Sequence, residues 1–252
     1  MNAYLKNLEK LEFIVTYACT GKCKHCSEGD HAVCGEKINA DVAASSLLKL
    51  AAEYDIKTVL VFGGEPLLYP NEALKIISAA KGAGIPKRQV ITNGYFSKNI
   101  DEIRNIAKRI FESGVNDLLL SVDAFHQETI PLDVVKAFAK EVKDVGIPIR
   151  LQPAWLVSES SDNQYNLRTR EILNAFCDTG IPVSSGNVVF PEGNAKKFLA
   201  EYFIDFSPEN PYTEDPCNVK CLSFEPNGDV LCGNVYKNDV MEIIRKYSPE
   251  GE

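Results

Sequence analysis

The stretch Glu12–Cys26, EFIVTYACTGKCKHC, joins an apolar run of strand length directly to a loop with three cysteines. Two later apolar runs end in a similar way: Thr58–Phe62 leads into Gly-Gly-Glu-Pro at 63–66, and Gln89–Thr92 leads into Asn93. In parallel α/β architectures, ligands gather where the strands end and the following loops begin. The placement of these residues therefore predicts a site at the carboxyl edge of a parallel sheet.

Apolar runs alternate with amphipathic segments as far as residue 190. The predicted strands are Glu12–Tyr17, Thr58–Phe62, Gln89–Thr92, Leu118–Val122, Ile147–Leu151 and Val183–Phe190. The predicted helices are Ala40–Tyr54, Asn71–Ala83, Ile100–Ser113, Leu132–Val145 and Thr169–Thr179. This alternation is typical of an α/β fold with a parallel sheet and helices outside it. Six units favour a partial (β/α)6 TIM-like barrel, and periodicity alone leaves a doubly wound sheet as the alternative.

The alternation stops after Pro191, where the sequence becomes rich in turn residues and cysteines. The segment SFEPNGDVLCGN, residues 223–234, predicts a hairpin that turns at Asn227-Gly228. We therefore divide the chain into a barrel domain, residues 1–190, and a small C-terminal extension, residues 191–252.

Charge and cysteine content narrow the class of protein. A net charge of −8 and a pI near 5.1 do not indicate a basic surface that would bind phosphate backbones or anionic membranes. We therefore expect neither nucleic acid nor a membrane as partner. No apolar run has the length of a membrane span and the N-terminus lacks a signal-peptide pattern, so we expect a cytoplasmic protein. Thiols stay reduced there, and eight cysteines then favour metal or redox chemistry over disulfides.

The first cysteine cluster has the spacing CxxxCxxC, at Cys19, Cys23 and Cys26. Three thiolates can bind three corners of a four-iron, four-sulfur (4Fe–4S) cluster and leave the fourth iron open. The alternative is a zinc site with a fourth ligand from His25, His31 or Cys34. Zinc loops usually pair CxxC with a second CxxC, which is absent nearby, so the spacing favours iron–sulfur.

These motifs together resemble the signature of the radical S-adenosylmethionine (AdoMet) enzymes, also called radical SAM enzymes. The resemblance rests on CxxxCxxC after the first strand, Gly-Gly-Glu-Pro after the second, Thr-Asn-Gly at 92–94 and Ser-Val-Asp at 121–123. It implies a 4Fe–4S cluster on Cys19, Cys23 and Cys26, AdoMet as cofactor, and a low-potential electron donor such as flavodoxin or ferredoxin.

The resemblance also implies an AdoMet pocket built from the strand ends. Its residues would be His25, Gly63, Gly64, Glu65, Pro66, Asn93, Ser121, Asp123 and Arg150. In this scheme His25 lies against the adenine, the two glycines bring the backbone close to the ligand, and Glu65 accepts from the AdoMet ammonium. Pro66 fixes the turn, while Ser121 and Asp123 bind the ribose or the methionyl group. Arg150 pairs either with the AdoMet carboxylate or with an acid on a neighbouring strand.

Three residues, Cys34, His126 and Asp123, are the candidate catalytic residues. His126, next to Asp123 in the loop after the fourth strand, either contacts substrate as a base or is only a structural cap. Cys34 is either a hydrogen-atom donor to a substrate radical or an inert, partly buried thiol. Glu192 and Asn194, in the turn after the last predicted strand, are candidates of the same kind.

The late cysteines, Cys217, Cys221 and Cys232, resemble the SPASM or twitch extensions that bind an auxiliary iron–sulfur cluster. The full SPASM pattern has more cysteines, so the resemblance implies one auxiliary cluster at most. The fourth iron of that cluster would either be open or be held by Cys177, Asp215 or the substrate. The alternatives are a zinc-stapled hairpin and free thiols.

This tail favours a peptide or protein substrate, modified by epimerisation, crosslinking or oxidation. A small-molecule enzyme of the molybdenum-cofactor-cyclase type has a similar layout, although its C-terminal Gly-Gly is missing here. A glycyl-radical activating enzyme is a further alternative. The non-enzyme alternative is a zinc or iron–sulfur binding protein.

Overall fold

The computed structural model describes residues 2–29 and 35–249 of the chain. Its strands are β1 (Lys10–Ile14), β2 (Thr58–Phe62), β3 (Lys87–Thr92), β4 (Asp117–Ser121), β5 (Ile149–Gln152), β6 (Ala154–Trp155), β7 (Asn187–Val188), β8 (Cys221–Phe224), β9 (Asp229–Val230) and β10 (Gly233–Asn234). Its α-helices are α1 (Ala40–Glu53), α2 (Pro70–Gly82), α3 (Ile100–Ser113), α4 (Ala124–Gln127), α5 (Leu132–Asp144), α6 (Gln164–Asn174), α7 (Gly193–Phe198) and α8 (Val240–Lys246).

Local sequence chemistry sets the ends of the long helices. Asn39 and Asn99 cap α1 and α3, because each side chain accepts backbone N–H groups of the first turn. Gly114 ends α3 in the left-handed conformation, with φ of 96°. None of the helices in the described residues combines the length and apolar character needed to cross a bilayer.

The main sheet has six parallel strands in the order β5-β4-β3-β2-β1-β8. Successive side chains of a strand point to opposite faces. Leu11 and Phe13 of β1 are fully buried in the core shared with the helices, whereas Lys10 and Glu12 alternate with them and remain partly accessible. The predicted α/β fold with a partial, TIM-like barrel is confirmed.

The sixth predicted strand, Val183–Phe190, is present in two short pieces. Val183 forms a parallel bridge with Leu151, and β7 pairs in parallel with β6. Between the pieces, Gly186 lies against Pro153: a Cβ at Gly186 would stand 2.3 Å from the Pro153 carbonyl oxygen. This close approach bends the edge of the barrel, so the strand is interrupted.

The segment after residue 190 returns to the barrel. Strand β8 pairs in parallel with β1, and the Phe224 ring stacks on Phe13 with centroids 4.7 Å apart. Helix α8 packs beside α1, with Ile243 and Ile244 in the same core. The domain boundary between residues 190 and 191 stays a prediction.

A turn does lie at the predicted Asn227-Gly228, where the Gly228 N–H donates to the Glu225 carbonyl at 2.9 Å. Strand β9 after that turn pairs with β10, while β8 before it belongs to the barrel sheet.

Candidate functional site

A cavity of about 220 Å³ opens at the carboxyl ends of the barrel strands. Most of the site residues predicted from the sequence line it: Cys19, Cys23, His25, Cys26, Gly63, Gly64, Asn93, Ser121, Asp123 and His126. Three predicted AdoMet-binding residues, Glu65, Pro66 and Arg150, are not part of its lining. The cysteine loop and the Gly-Gly turn therefore face one space.

The three thiols of the cysteine loop are largely shielded from solvent. Cys23 is only 7% exposed, and Gly21 leaves room beside it, because a Cβ at Gly21 would stand 3.2 Å from the Cys23 sulfur and 3.7 Å from the Cys19 sulfur. Burial raises the pKa of Cys19 to about 11 and that of Cys23 well above its usual range.

Hydrogen bonds to the sulfurs prepare the loop for a metal. The Gly21 N–H donates to the Cys19 sulfur at 3.3 Å. Burial raises the pKa of Cys26, and hydrogen bonds from the backbone N–H groups of Glu28 and Gly29 partly oppose this rise. Buried thiols with raised pKa values need a nearby positive charge to ionise, and a bound metal centre supplies one. The donor set of three sulfurs, one buried and two partly accessible, with N–H···S bonds to two of them, fits an iron–sulfur cluster.

The Gly-Gly turn packs against the backbone that leads into the cysteine loop. Gly63 has φ of 140°, and a Cβ at Gly64 would stand 2.2 Å from the Ala18 carbonyl oxygen. The Gly64 and Glu65 N–H groups donate to the carbonyls of Thr16 and Ala18, each at 2.8 Å. The glycines are thus required for this close approach of two loops, besides any approach to a ligand.

Glu65 connects the Gly-Gly turn to the loop after β3. Its carboxylate is fully buried and accepts from the Leu67 N–H at 2.9 Å, the Thr92 hydroxyl at 2.8 Å and the Asn93 N–H at 2.8 Å. Burial raises its pKa to about 7, against the opposing effect of these three bonds. Pro66 begins the short 3₁₀ helix Pro66–Leu68 that follows. The bond from Glu65 to the AdoMet ammonium stays a prediction, and the hydrogen bonds of its carboxylate described above come from protein groups.

Asn93 contacts both Glu65 and Cys19. Its side-chain amide donates to the Thr20 hydroxyl at 3.1 Å and lies 3.6 Å from the Cys19 sulfur. The three loops after β1, β2 and β3 are therefore joined by one network through Glu65 and Asn93. This network fixes the position of Cys19 relative to the Gly-Gly turn.

Replacing Glu65 by Gln is expected to destabilise the protein by about 1–3 kcal/mol, because the amide cannot accept all three bonds and leaves a buried donor unpaired. Chemical unfolding of the metal-free protein measures this effect. The matched control is Glu53→Gln at the exposed end of α1, which should change stability by less than about 0.5 kcal/mol. Equal stabilities of the two variants would contradict the role given to Glu65.

Asp123 and His126 form a buried pair at the cavity wall. One Asp123 oxygen accepts the Phe125 and His126 N–H groups and caps α4, while the other lies 2.8 Å from His126 Nδ1. Burial alone would raise the pKa of Asp123, but the charge and hydrogen bonds of His126 outweigh it and lower the pKa to about 2. Asp123 is therefore ionised and orients the imidazole of His126.

His25 packs into the same wall. The centroid of its ring lies 4.8 Å from the ring centroid of Phe125 and 4.9 Å from that of His126. Its Nδ1 atom is buried and has no hydrogen-bond partner among the described residues. Burial lowers its pKa to about 4, so the ring is neutral. In the part of the chain that the structure describes, Cys23, His25 and His126 also bring ligand atoms within 4.8 Å of one another, a donor set compatible with zinc.

Arg150 lies inside the barrel and is held by protein. Its guanidinium contacts Asp117 on β4 at 2.9 Å, and the same Asp117 oxygen accepts from the Gln89 side chain at 2.7 Å. Two partners were predicted for Arg150, the AdoMet carboxylate and an acid on a neighbouring strand, and the structure shows the acid, Asp117.

The remaining predicted residues lie elsewhere. Cys34 and His31 fall outside the described residues. Cys221 pairs with Lys10 at the amino end of β1, whereas the cysteine loop follows the carboxyl end, about 16 Å away along a five-residue strand. Cys177, Cys217 and Cys232 are exposed.

Glu28 and Tyr212 are among the cavity residues that the sequence analysis did not identify. Glu28 lies at the mouth, two residues after Cys26, and that adjacency was the signal that could have identified it. Partial desolvation and the charges of Glu225 and Glu192 raise the pKa of Glu28. Tyr212 reaches the cavity from the C-terminal segment and packs edge-on against Phe190 at 6.1 Å. No local pattern marks Tyr212, because its position depends on the path of the tail.

Comparison with known proteins agrees with this geometry. The family model described as "Radical SAM superfamily" matches residues 13–201. A probable GTP 3',8-cyclase of Sulfolobus acidocaldarius is 29% identical, with 98% of this chain and 76% of that protein covered. A probable GTP 3',8-cyclase of Saccharolobus islandicus is 25% identical, and the chain spans 66% of its length.

Solved structures at lower identity share the fold. Streptococcus suis SuiB bound to its precursor peptide SuiA superposes with a TM-score of 0.64 at 15% identity, covering 97% of this chain and 66% of that one. The AdoMet-bound structure of anSMEcpe gives a TM-score of 0.61 at 14% identity, covering 95% of this chain and 81% of that one.

Proposed function

The chain belongs to the radical SAM superfamily of enzymes, and from this premise we propose that it abstracts a hydrogen atom from a small-molecule substrate. One observation carries the proposal: the thiols of Cys19, Cys23 and Cys26 line the same cavity as the Gly63-Gly64 turn. The superfamily uses a 4Fe–4S cluster and AdoMet, and the three sulfurs of the cysteine loop fit such a cluster. When bound, the pair supplies a 5′-deoxyadenosyl radical by one-electron reductive cleavage of AdoMet.

The chain's own residues hold and shield the reacting groups. Cys19, Cys23 and Cys26 would bind the cluster, and the backbone of Gly63 and Gly64 would approach the AdoMet amino group. Asn93 and Glu65 keep the two loops in register through the network described above. Cys23, Glu65 and Asn93 are buried, and Cys19 and Cys26 are only partly accessible, which limits the access of water to this part of the cavity.

Other residues of the cavity lining would hold the rest of the cofactor and meet the substrate. His25, between Cys23 and Cys26 in the cysteine loop, would lie against the adenine, and Ser121 would bind the ribose or methionyl group. Asp123 holds Nδ1 of His126, which leaves Nε2 to exchange a proton with the substrate. Cys34, the candidate hydrogen-atom donor, lies outside the described residues.

The relatives favour a small molecule over the peptide or protein substrate that the tail suggests. The curated relatives matched above are named as GTP 3',8-cyclases. The peptide-bound neighbour, SuiB, is only 15% identical and supports the fold alone. The small-molecule alternative is therefore the better supported interpretation of the sequence.

We propose that the late cysteines bind an auxiliary iron–sulfur cluster that relays electrons. Cys221 lies at the amino end of β1, remote from the cavity, and Cys217 and Cys232 are exposed. A cluster at this end would accept electrons from a low-potential donor such as flavodoxin or ferredoxin. It would not contact a substrate in the cavity.

The test supplies the anaerobically reconstituted enzyme with AdoMet and dithionite, and measures 5′-deoxyadenosine with two fractions of a cell extract. We expect the dialysable fraction to raise 5′-deoxyadenosine formation several-fold over the substrate-free rate. Stimulation by the retained, macromolecular fraction alone would contradict a small-molecule substrate and favour a peptide or protein.

A further inference from the structure

We propose that the substrate carries a cationic amine or guanidine group and that Glu28 is a specificity-determining residue for it. This inference rests on the proposed function and narrows its substrate class. It separates this chain from its relatives named as GTP 3',8-cyclases, whose named substrate carries a triphosphate.

The first observation is the absence of cations from the cavity lining. Among the described residues, no lysine or arginine lines the cavity, and the undescribed residues include none. Arg150, the arginine on the nearest barrel strand, is paired with Asp117 inside the barrel. Nδ1 of His126 lies 2.8 Å from the Asp123 carboxylate. Proteins bind polyphosphates with arginine forks, lysines or helix N-termini, and this lining offers no side chain of that kind.

The second observation is an excess of negative charge at the cavity mouth. Glu28 lines the cavity at an exposed position, and the turn that carries Glu192 packs against its loop, because a Cβ at Gly193 would stand 2.3 Å from the Ser27 carbonyl oxygen. Within the described chain, which includes every lysine and arginine, none of the carboxylates of Glu28, Glu192 and Glu225 has a cationic side chain within 4 Å. Two of them have neutral partners: Glu225 accepts the Tyr17 hydroxyl, and Glu192 accepts the Asn210 amide at 3.0 Å.

Packing holds these acids against the cysteine loop. The Asn194 N–H donates to the Cys26 carbonyl at 2.9 Å, and the Asn194 amide donates to the Cys23 carbonyl at 3.2 Å. A Cβ at Gly193 would stand 2.3 Å from the Ser27 carbonyl oxygen, so the turn that carries Glu192 lies directly on the loop that carries Glu28. The negative charge is therefore fixed beside the radical site.

A third feature marks the cavity as a place for a polar ligand. The buried Nδ1 of His25 has no hydrogen-bond partner among the described residues, and His25 lines the same cavity. Buried polar atoms in native proteins are normally paired. A cationic substrate group would occupy the mouth, facing Glu28, while AdoMet would fill the interior.

The test measures binding of two probes, agmatine and GTP, to the reconstituted, AdoMet-loaded enzyme by equilibrium dialysis. We expect agmatine to bind more tightly than GTP and its affinity to fall as ionic strength rises. Glu28→Gln should weaken agmatine binding about tenfold, the loss typical of a charged hydrogen-bond partner, and Glu192→Gln, outside the lining, should weaken it by a smaller factor. Glu209→Gln, at an exposed position of the tail, is the matched control and should leave binding unchanged.

Iron content and 5′-deoxyadenosine formed without substrate are measured on every variant. A variant with normal values for both is properly assembled, so a loss of agmatine binding is then specific. GTP binding tighter than agmatine binding, binding of neither probe, or agmatine affinity unchanged in Glu28→Gln would overturn the inference. Failure of wild-type enzyme to cleave AdoMet would instead overturn the proposed function.

Discussion

Substituting Gly64 by Ala is expected to lower iron content and AdoMet cleavage by about 10- to 100-fold, the range found when residues that orient metal ligands are changed. The new Cβ would stand 2.2 Å from the Ala18 carbonyl oxygen and 2.6 Å from that of Tyr17. Neither atom belongs to a flexible side chain, so the backbone before Cys19 must shift. Iron analysis after reconstitution and 5′-deoxyadenosine formation measure the effect.

The stability of Gly64→Ala should also fall, by about 1–3 kcal/mol, as for other overpacked sites. Gly82→Ala is the matched control, because a Cβ at the end of α2 meets nothing within 4 Å. It should leave iron content and cleavage unchanged and stabilise the protein slightly. A Gly64→Ala variant with wild-type iron content would show that the Gly-Gly turn does not position the cysteine loop.

Replacing Cys23 by Ala should reduce AdoMet cleavage to the level of an enzyme-free reaction. Cys23 is the most buried of the three loop thiols, and its removal leaves two protein ligands for a cluster that needs three. The measurement is 5′-deoxyadenosine by chromatography, with iron and sulfide determined on the same sample. Ser45→Ala, at an exposed position of α1, is the control and should keep full cleavage.

The same pair of variants separates iron–sulfur from zinc. A zinc site on Cys23, His25 and His126 would lose zinc in Cys23→Ala and would contain neither iron nor sulfide in the wild type. Zinc without sulfide in the reconstituted wild type would therefore contradict the account of this loop.

Local sequence was sufficient to predict strands β1 to β5 as elements of a parallel sheet, and to predict the site residues that line the cavity from Cys19 to His126. The cysteine loop and Gly63-Gly64 directly follow strands, and the topology of a parallel sheet then brings them together. Nothing in the local pattern could predict β8, because its parallel pairing with β1 joins distant parts of the chain. The sequence predicted only a hairpin there.

The roles of single side chains were harder to predict than their positions. The position of Glu65 after β2 is visible in the sequence, but whether its carboxylate faces the cavity or the Thr92 and Asn93 donors depends on tertiary packing. Arg150 is a similar case, since its partner on β4 is set by the register of two strands. Strand periodicity places a side chain on a face of the sheet and does not identify its partner.

The most direct test that the protein cleaves AdoMet at a cluster held by the cysteine loop is 5′-deoxyadenosine formation by the anaerobically reconstituted wild-type protein with AdoMet and dithionite. We expect 5′-deoxyadenosine and methionine in equal amounts, formed only with reductant and lost in Cys19→Ala, Cys23→Ala and Cys26→Ala. A wild-type protein with its iron and sulfide in place that leaves AdoMet intact under these conditions would contradict this expectation.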